Sequence, residues 1–254
     1  MTSLIRTARF TGAAYLALAV FGLTGFLVIR RRLSVEGDSA ATLANLVEHS
    51  SLAHLGIALE LLVVIAQAAA AVGFYALFRR DRPVAAYGVA TFGMANAITI
   101  LVSVALLVVA SGVAVDPATA PAGDAAATIA LLFAVADALW ATGAIFFGLW
   151  LIPMGWFVIS TLRMPRALGW VLVVGGVGYV LSALLGAAAP TVSQAVVDML
   201  TVPATVGELW MLTYLLVVGI RPAIEAPSLT PLGPTATPAA ASATRALVEP
   251  LGSD

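Results

Sequence analysis

FTGAAYLALAVFGLTGFLVI, residues 10–29, runs for twenty residues without a charge between Arg9 and Arg30. As a helix rising 1.5 Å per residue it matches the thickness of a bilayer's hydrocarbon core. The stretch is longer than the apolar part of a secretory leader and passes into Arg30-Arg31-Arg32 with no small-residue cleavage site, so it is expected to be retained as an anchor. The rest of the chain repeats the theme. Of 254 residues, 61% are hydrophobic and 10% charged, with a mean hydropathy of +1.05, where a soluble domain carries about 25% charged residues. So little polar surface cannot cover a water-soluble globule, and the fold class that follows is an all-α polytopic membrane protein, a six-transmembrane-helix bundle.

The spans are expected at about 10–29, 52–78, 84–109, 137–162, 167–188 and 203–220. Between the first two lies LSVEGDSAATLANLVEHSS, residues 33–51, where Gly37-Asp38-Ser39 signals a helix start. Ala41, Leu43, Leu46 and Val47 could form one apolar stripe there, on a short outer amphipathic helix at the interface. Arg79-Arg80-Asp81-Arg82-Pro83 forces a turn between spans 2 and 3, and SGVAVDPATAPAGD, residues 111–124, reads as a loop. Residues 125–162 carry one charge, Asp137, over a length too great for one simple span and too small for two. We expect an interfacial lead-in over 125–136 before span 4, with a bend near Pro153. Pro190 closes span 5, and Thr201 is the expected N-cap of span 6, with Pro203 in its first turn. Residues 222–254 hold six of the thirteen prolines and no apolar period, the composition of a disordered tail.

Arginine sets the orientation. With both termini in the cytoplasm, Arg6, Arg9, Arg79, Arg80, Arg82, Arg163, Arg166 and Arg221 lie inside, against Arg30 to Arg32 outside. The outer triplet is expected to snorkel to the headgroups beside Glu36 and Asp38.

Absences exclude several chemistries. The sequence contains neither cysteine nor lysine, which removes thiolate nucleophiles, thiolate metal sites, Schiff bases and a phosphate-loop lysine. His49 and His54, the two histidines, share one outer segment, so they cannot clamp a haem between helices and read as solvated interfacial residues. No GxSxG occurs, and neither a catalytic residue, a metal site nor a cofactor is expected. A net charge of −1 gives no basic surface for nucleic acid. The bilayer is the first partner; oligomeric state and partner subunits stay open.

FFGLW (146–150), MPRALG (164–169), GVGY (176–179) and PATVGELW (203–210) occur in a chain of six spans with a long outer segment after the first. In these features, over roughly residues 8–220, the chain resembles a family of bacterial six-helix membrane proteins catalogued as domain of unknown function 4386. The resemblance implies a multi-pass architecture in a bacterial plasma membrane. It also implies acidic residues near Glu60 and at Glu208, with a base sometimes found early in span 3, where this chain reads Phe92-Gly93-Met94.

An ionisable side chain inside a bilayer is costly, of order 2.5–3.5 kcal/mol on insertion scales, so Glu60, Asp137 and Glu208 are candidate site residues. Measured from the expected outer ends of spans 2 and 6, Glu60 and Glu208 lie roughly 8–12 Å deep. Glu60 and Gln67 share a face of span 2, as do Asn96, Thr99 and Ser103 on span 3 and Thr201, Thr205 and Glu208 on span 6. If spans 2, 3 and 6 pack together, these stripes form a polar cavity open to the outside, in which Glu60, Gln67, Asn96, Thr99, Asp137 and Glu208 bind a small solute, cation or proton. The other reading is interhelical glue, with the glutamates neutral and hydrogen-bonded across helices in a structural or regulatory subunit. Gly175-Gly176-Val177-Gly178 and the small residues Ala68 to Gly73 read as close-packing surfaces.

Overall fold

The computed structural model describes residues 2–189 and 191–221. The expected tail at 222–254 and the closing Pro190 lie outside the described residues. Six of the described helices are long and apolar enough to cross a membrane. The first, α1, begins as Thr2–Gly22, continues through a π-helical stretch, Leu23–Arg30, and ends in the turn Arg31–Leu33. The short α2 (Ser39–Glu48) follows, then the remaining spans α3 (Ser50–Phe78), α4 (Pro83–Val115), α5 (Ala125–Thr161), α6 (Arg166–Ala188) and α7 (Gln194–Val217).

Several boundaries differ from the hydropathy reading, each for a local reason. α1 starts eight residues before Phe10, because Arg6 and Arg9 are helix formers whose charges limit hydrocarbon depth without interrupting the backbone. α4 continues to Val115, where Asp116 caps the following turn by accepting from the Ala118 amide, which shortens the expected 111–124 loop from its N-terminal side. The expected interfacial lead-in at 125–136 is instead the first third of one 37-residue helix, α5. Its start is set by the Asp124 carboxylate, which accepts from the Ala127 amide at 2.9 Å, and Ile129, Phe133 and Ala136 are buried on its inner face. α7 begins at Gln194, so Thr201 is no N-cap: its hydroxyl bonds the Asp198 carbonyl within the helix, and Pro203 sits in the interior. Packing against α6 holds that proline turn in place. Gly175 and Gly178 bring the α6 backbone against Ala204 and Leu200, leaving no room for a Cβ at either glycine.

Neighbouring spans pack in chain order, and α7 closes back on α1. α5 and α6 approach most closely at Gly148, Gly155, Gly169 and Gly176, where an added Cβ would collide with the opposite backbone. The centre is aromatic. Tyr15 of α1, Phe74 of α3 and Trp150 of α5 meet edge-on with ring centroids 5.4–5.7 Å apart, a geometry worth about 0.5–1.5 kcal/mol per pair beyond burial. Toward the α2 end a second cluster forms from Ile29, Leu33, Leu46, Leu107, Ile129 and Phe133.

α2 lies over that cluster. Asp38 is its N-cap, accepting from the Ala41 amide at 2.8 Å, which is the start the Gly-Asp-Ser signal implies. Its inner face is Thr42 and Leu46, with Ala41 and Leu43 half-buried, whereas Val47 is exposed. The expected stripe is thus rotated, because Thr42 ties the helix down by accepting from the Val35 amide and donating to the Asp38 carbonyl.

Candidate functional site

The looser winding of Leu23–Arg30 ends on a buried arginine. π-helical turns recur at functional sites because they re-aim one residue out of α register. Here Ile29 and Arg30 face inward while Arg31 and Arg32 remain exposed. Arg30 Nε and Nη2 donate to the two carboxylate oxygens of Glu60 at 3.2 and 2.8 Å, and Nη1 donates to Asp137 Oδ1 at 2.7 Å. Nη2 also lies 3.3 Å from Ser103 Oγ, which donates to the Ala136 carbonyl at 3.2 Å. The guanidinium stands 5.0 Å over the Phe26 ring. Every arm of the planar fork is used, a set of bonds that arginine's rigid geometry suits.

This corrects the expectation that Arg30 snorkels with its two neighbours. Two carboxylates at the same depth attract it more strongly than the headgroups do, because an ion pair away from water feels little screening. A sequence signal for it exists: Glu60 and Asp137 both stand inside apolar runs and require a counter-charge, and Arg30 closes the adjoining span.

The two acids differ in exposure. The Glu60 side chain is 2% accessible and that of Asp137 51%. Asp137 forms part of a polar cleft of about 930 Å³ between the end of α1, the 34–39 turn, α2 and the first third of α5. Arg30, Arg31, Glu36 and Asp38 also line it. Asp137 Oδ1 is held by Arg30, while Oδ2 makes no bond to any described residue.

The other candidates do not join this cluster. Gln67 and Asn96 lie seven residues beyond Glu60 and Ser103 on antiparallel helices, about 10 Å further along the bundle. Both are buried, and Gln67 Nε2, Gln67 Oε1 and Asn96 Nδ2 have no hydrogen-bond partner among the described residues. Thr99 bonds its own helix at the Ala95 carbonyl. Glu208 is separate again: α7 packs chiefly on α6 and α1, so spans 2, 3 and 6 do not enclose a common cavity. Because α7 starts at Gln194, Glu208 is about 21 Å along its helix rather than 8–12 Å. Its Oε1 accepts from the Tyr15 hydroxyl at 2.6 Å. Tyr15 had no signal of its own in the sequence.

His49 links α2 to α3, and His54 Nδ1 lies 2.8 Å from the Ser50 carbonyl in its own helix. No cluster of three or more His, Cys, Asp or Glu residues suited to a metal ion occurs among the described residues.

At the opposite end, Arg163 pairs with Asp81 and donates from Nε to the Arg221 carbonyl at 2.7 Å. Arg82 Nε bonds Ser160 Oγ at 3.0 Å. These bonds tie the α3–α4 turn to the end of α5 and the end of α7.

Fold and polar interior together define a multi-pass α-helical membrane protein with charged groups paired between spans. The chain belongs to the family described as Domain of unknown function (DUF4386), whose sequence profile matches residues 10–219. Comparison with curated proteins and with solved structures gives no match.

Proposed function

We propose that this protein binds a small cationic solute in the polar cleft at the α2 end, as a receptor or as the first step of transport, and is not an enzyme. The single observation that carries this reading is the half-exposed Asp137 carboxylate, fixed by Arg30 through one oxygen and open through the other. Around it the cleft holds three acids, Glu36, Asp38 and Asp137, and two bases, Arg30 and Arg31, with Glu60 directly behind. The balance is acidic and favours a cation. Arg30 and Glu60 then hold Asp137 in position, and the apolar cluster beneath α2 limits water behind it.

The cleft faces outward and both termini lie in the cytoplasm of a bacterial cell on this reading. Arginine asymmetry supports that orientation, and burial of Arg30 leaves only Arg31 and Arg32 as outer exceptions.

A structural-subunit reading has its own support, since Arg30–Glu60 and Tyr15–Glu208 each cross-link two helices. Thermal unfolding in lipid nanodiscs separates the two, using Na⁺, K⁺, Mg²⁺, Ca²⁺ and ethylammonium as probes. Binding predicts that one probe raises the wild-type midpoint by several degrees and that Asp137→Asn removes the shift. Equal response of wild type and Asp137→Asn to all five probes rejects the cleft as a cation site and leaves the structural reading.

A further inference from the structure

A second cavity, of about 450 Å³, lies between α1, α5, α6 and α7, deeper in the bundle than the polar cleft. Phe26 borders both: Arg30 sits over its ring, and the ring packs against Trp140 at 4.8 Å. The walls of the deeper cavity are overwhelmingly apolar, with Leu18, Phe147 and Leu212 among them. Leu23, Leu27 and Leu209 also line it while 42–57% exposed, so the cavity opens sideways to the surface that faces lipid. Its polar lining is sparse: Glu208, Tyr15, Tyr179, Thr205 and Trp140.

Glu208 differs from the other intramembrane acids in its partners. Glu60 and Asp137 share Arg30, whereas no Arg or His lies within ion-pair distance of Glu208 among the described residues. Tyr15 satisfies Oε1, and Oε2 makes no bond to any described residue. A carboxyl used purely as helix glue would have the Tyr15 bond and a closed wall. Here it borders a roomy apolar cavity with an entry from the bilayer. Cavities of this kind, apolar with a few convergent polar groups, are the usual form of small-molecule sites, and a carboxylate without a counter-ion in hydrocarbon is complementary to a single positive charge.

We propose that this cavity binds a lipophilic amine, one ammonium group on an apolar body, which enters laterally from the bilayer and places its nitrogen at Glu208 Oε2. Tyr15 holds the carboxyl in place from the other side. Tyr179 and Thr205 are positioned to accept the remaining N–H bonds, and the body lies along Leu18, Phe147 and Leu212. This site is independent of the polar cleft, with a different acid, different depth and a different route of entry.

The test is equilibrium binding of radiolabelled dodecylamine to the full chain in nanodiscs, with empty nanodiscs subtracted for partition into lipid. Dodecanol and dodecanoic acid are the matched controls. A saturable component of about one amine per protein is expected, at least tenfold tighter than for the alcohol and absent for the acid. Glu208→Gln preserves the acceptor for Tyr15 and is expected to weaken amine binding tenfold or more. Ala144→Leu fills the cavity from α5 without touching Glu208 and is expected to abolish the saturable component, giving a second route to the same answer if the first variant folds poorly. Asp137→Asn is expected to leave amine binding unchanged, which separates failure of this site from failure of the cleft. Absence of a saturable component, equal binding of amine and alcohol, or unchanged binding in Glu208→Gln would overturn the proposal.

Discussion

Arg30 and Arg163 are the two buried arginines of the bundle, 5% and 8% exposed, and each bonds a carboxylate brought by another helix or turn. Their surroundings set them apart. Arg30 is enclosed between Glu60, Asp137 and Ser103, beneath an apolar cluster capped by α2. Arg163 joins the ends of helices, and its partner Asp81 is 23% accessible beside the exposed Arg79 and Arg80. The first network holds charge inside the membrane, where a lost partner leaves an ion without water. The second sits at a boundary where water and headgroups can replace what is removed. The same pair of residue types is therefore expected to have unequal energetic weight at the two ends.

The sharpest way to break the comparison is Arg30→Met. It leaves Glu60 and Asp137 side by side without a cation, and a loss of about 3–5 kcal/mol is expected from breaking one side of a buried pair. Reversible unfolding in bicelles measures it, and the double change Arg30→Met with Glu60→Met is expected to recover most of the loss, because no buried charge is then left unpaired. A cost for Arg30→Met below that of the next substitution would reverse the ranking of the two ends.

Arg163→Met removes both the Asp81 pair and the bond to the Arg221 carbonyl, and about 1–2 kcal/mol is expected, allowing for the exposure of Asp81. Added salt is expected to shrink the difference between wild type and this variant more than it shrinks that for Arg30→Met, since the Arg163–Asp81 pair is more exposed and better screened. Asp137→Asn sharpens the contrast within the first network. Its side chain is half in solvent, so less than about 1 kcal/mol of stability is expected to be lost, while the cation-dependent rise in melting temperature disappears. Large destabilisation there would make Asp137 a structural residue and weaken the cleft reading.

The smallest effect is expected at the Arg163 end, where Leu162 closes α5 in the left-handed region at φ 57°. That conformation costs a non-glycine residue roughly 1–2 kcal/mol, and glycine's greater freedom when unfolded returns about half of that. Leu162→Gly is therefore expected to stabilise the protein by about 0.5 kcal/mol, read as a small upward shift in thermal midpoint. A destabilisation would mean that the half-exposed leucine side chain packs more strongly than its accessibility suggests.

Where sequence rules worked, they rested on quantities that need no neighbour. An apolar window of some twenty residues with at most one charge fixes a span whatever it packs against, and this located all six helices to within a turn or a few turns. Asp38 caps α2 as its sequence signal implied, because a cap is a bond between residues three apart. The errors share a different cause. Thr201 lost its capping role because α6 packs Gly175 and Gly178 against Ala204 and Leu200, on either side of Pro203, and the lead-in of α5 became core because the α4 face and α2 cover it. Of the candidate site, the intramembrane acids were visible as costly residues, while their grouping was not. Glu60 and Asp137 meet through Arg30, whereas Glu208 stands apart with Tyr15.

Length, composition and the placement of charge thus determined by themselves that this chain crosses a membrane six times and carries acids within it, because the cost of exposing polar groups to hydrocarbon is paid residue by residue. Which acid is neutralised, which carboxylate oxygen is left open and which cavity it faces were decided only by tertiary structure. Those properties depend on the rotation of each helix and on its partner, and an apolar stripe alone leaves both undetermined in a solvent as apolar as the helices themselves.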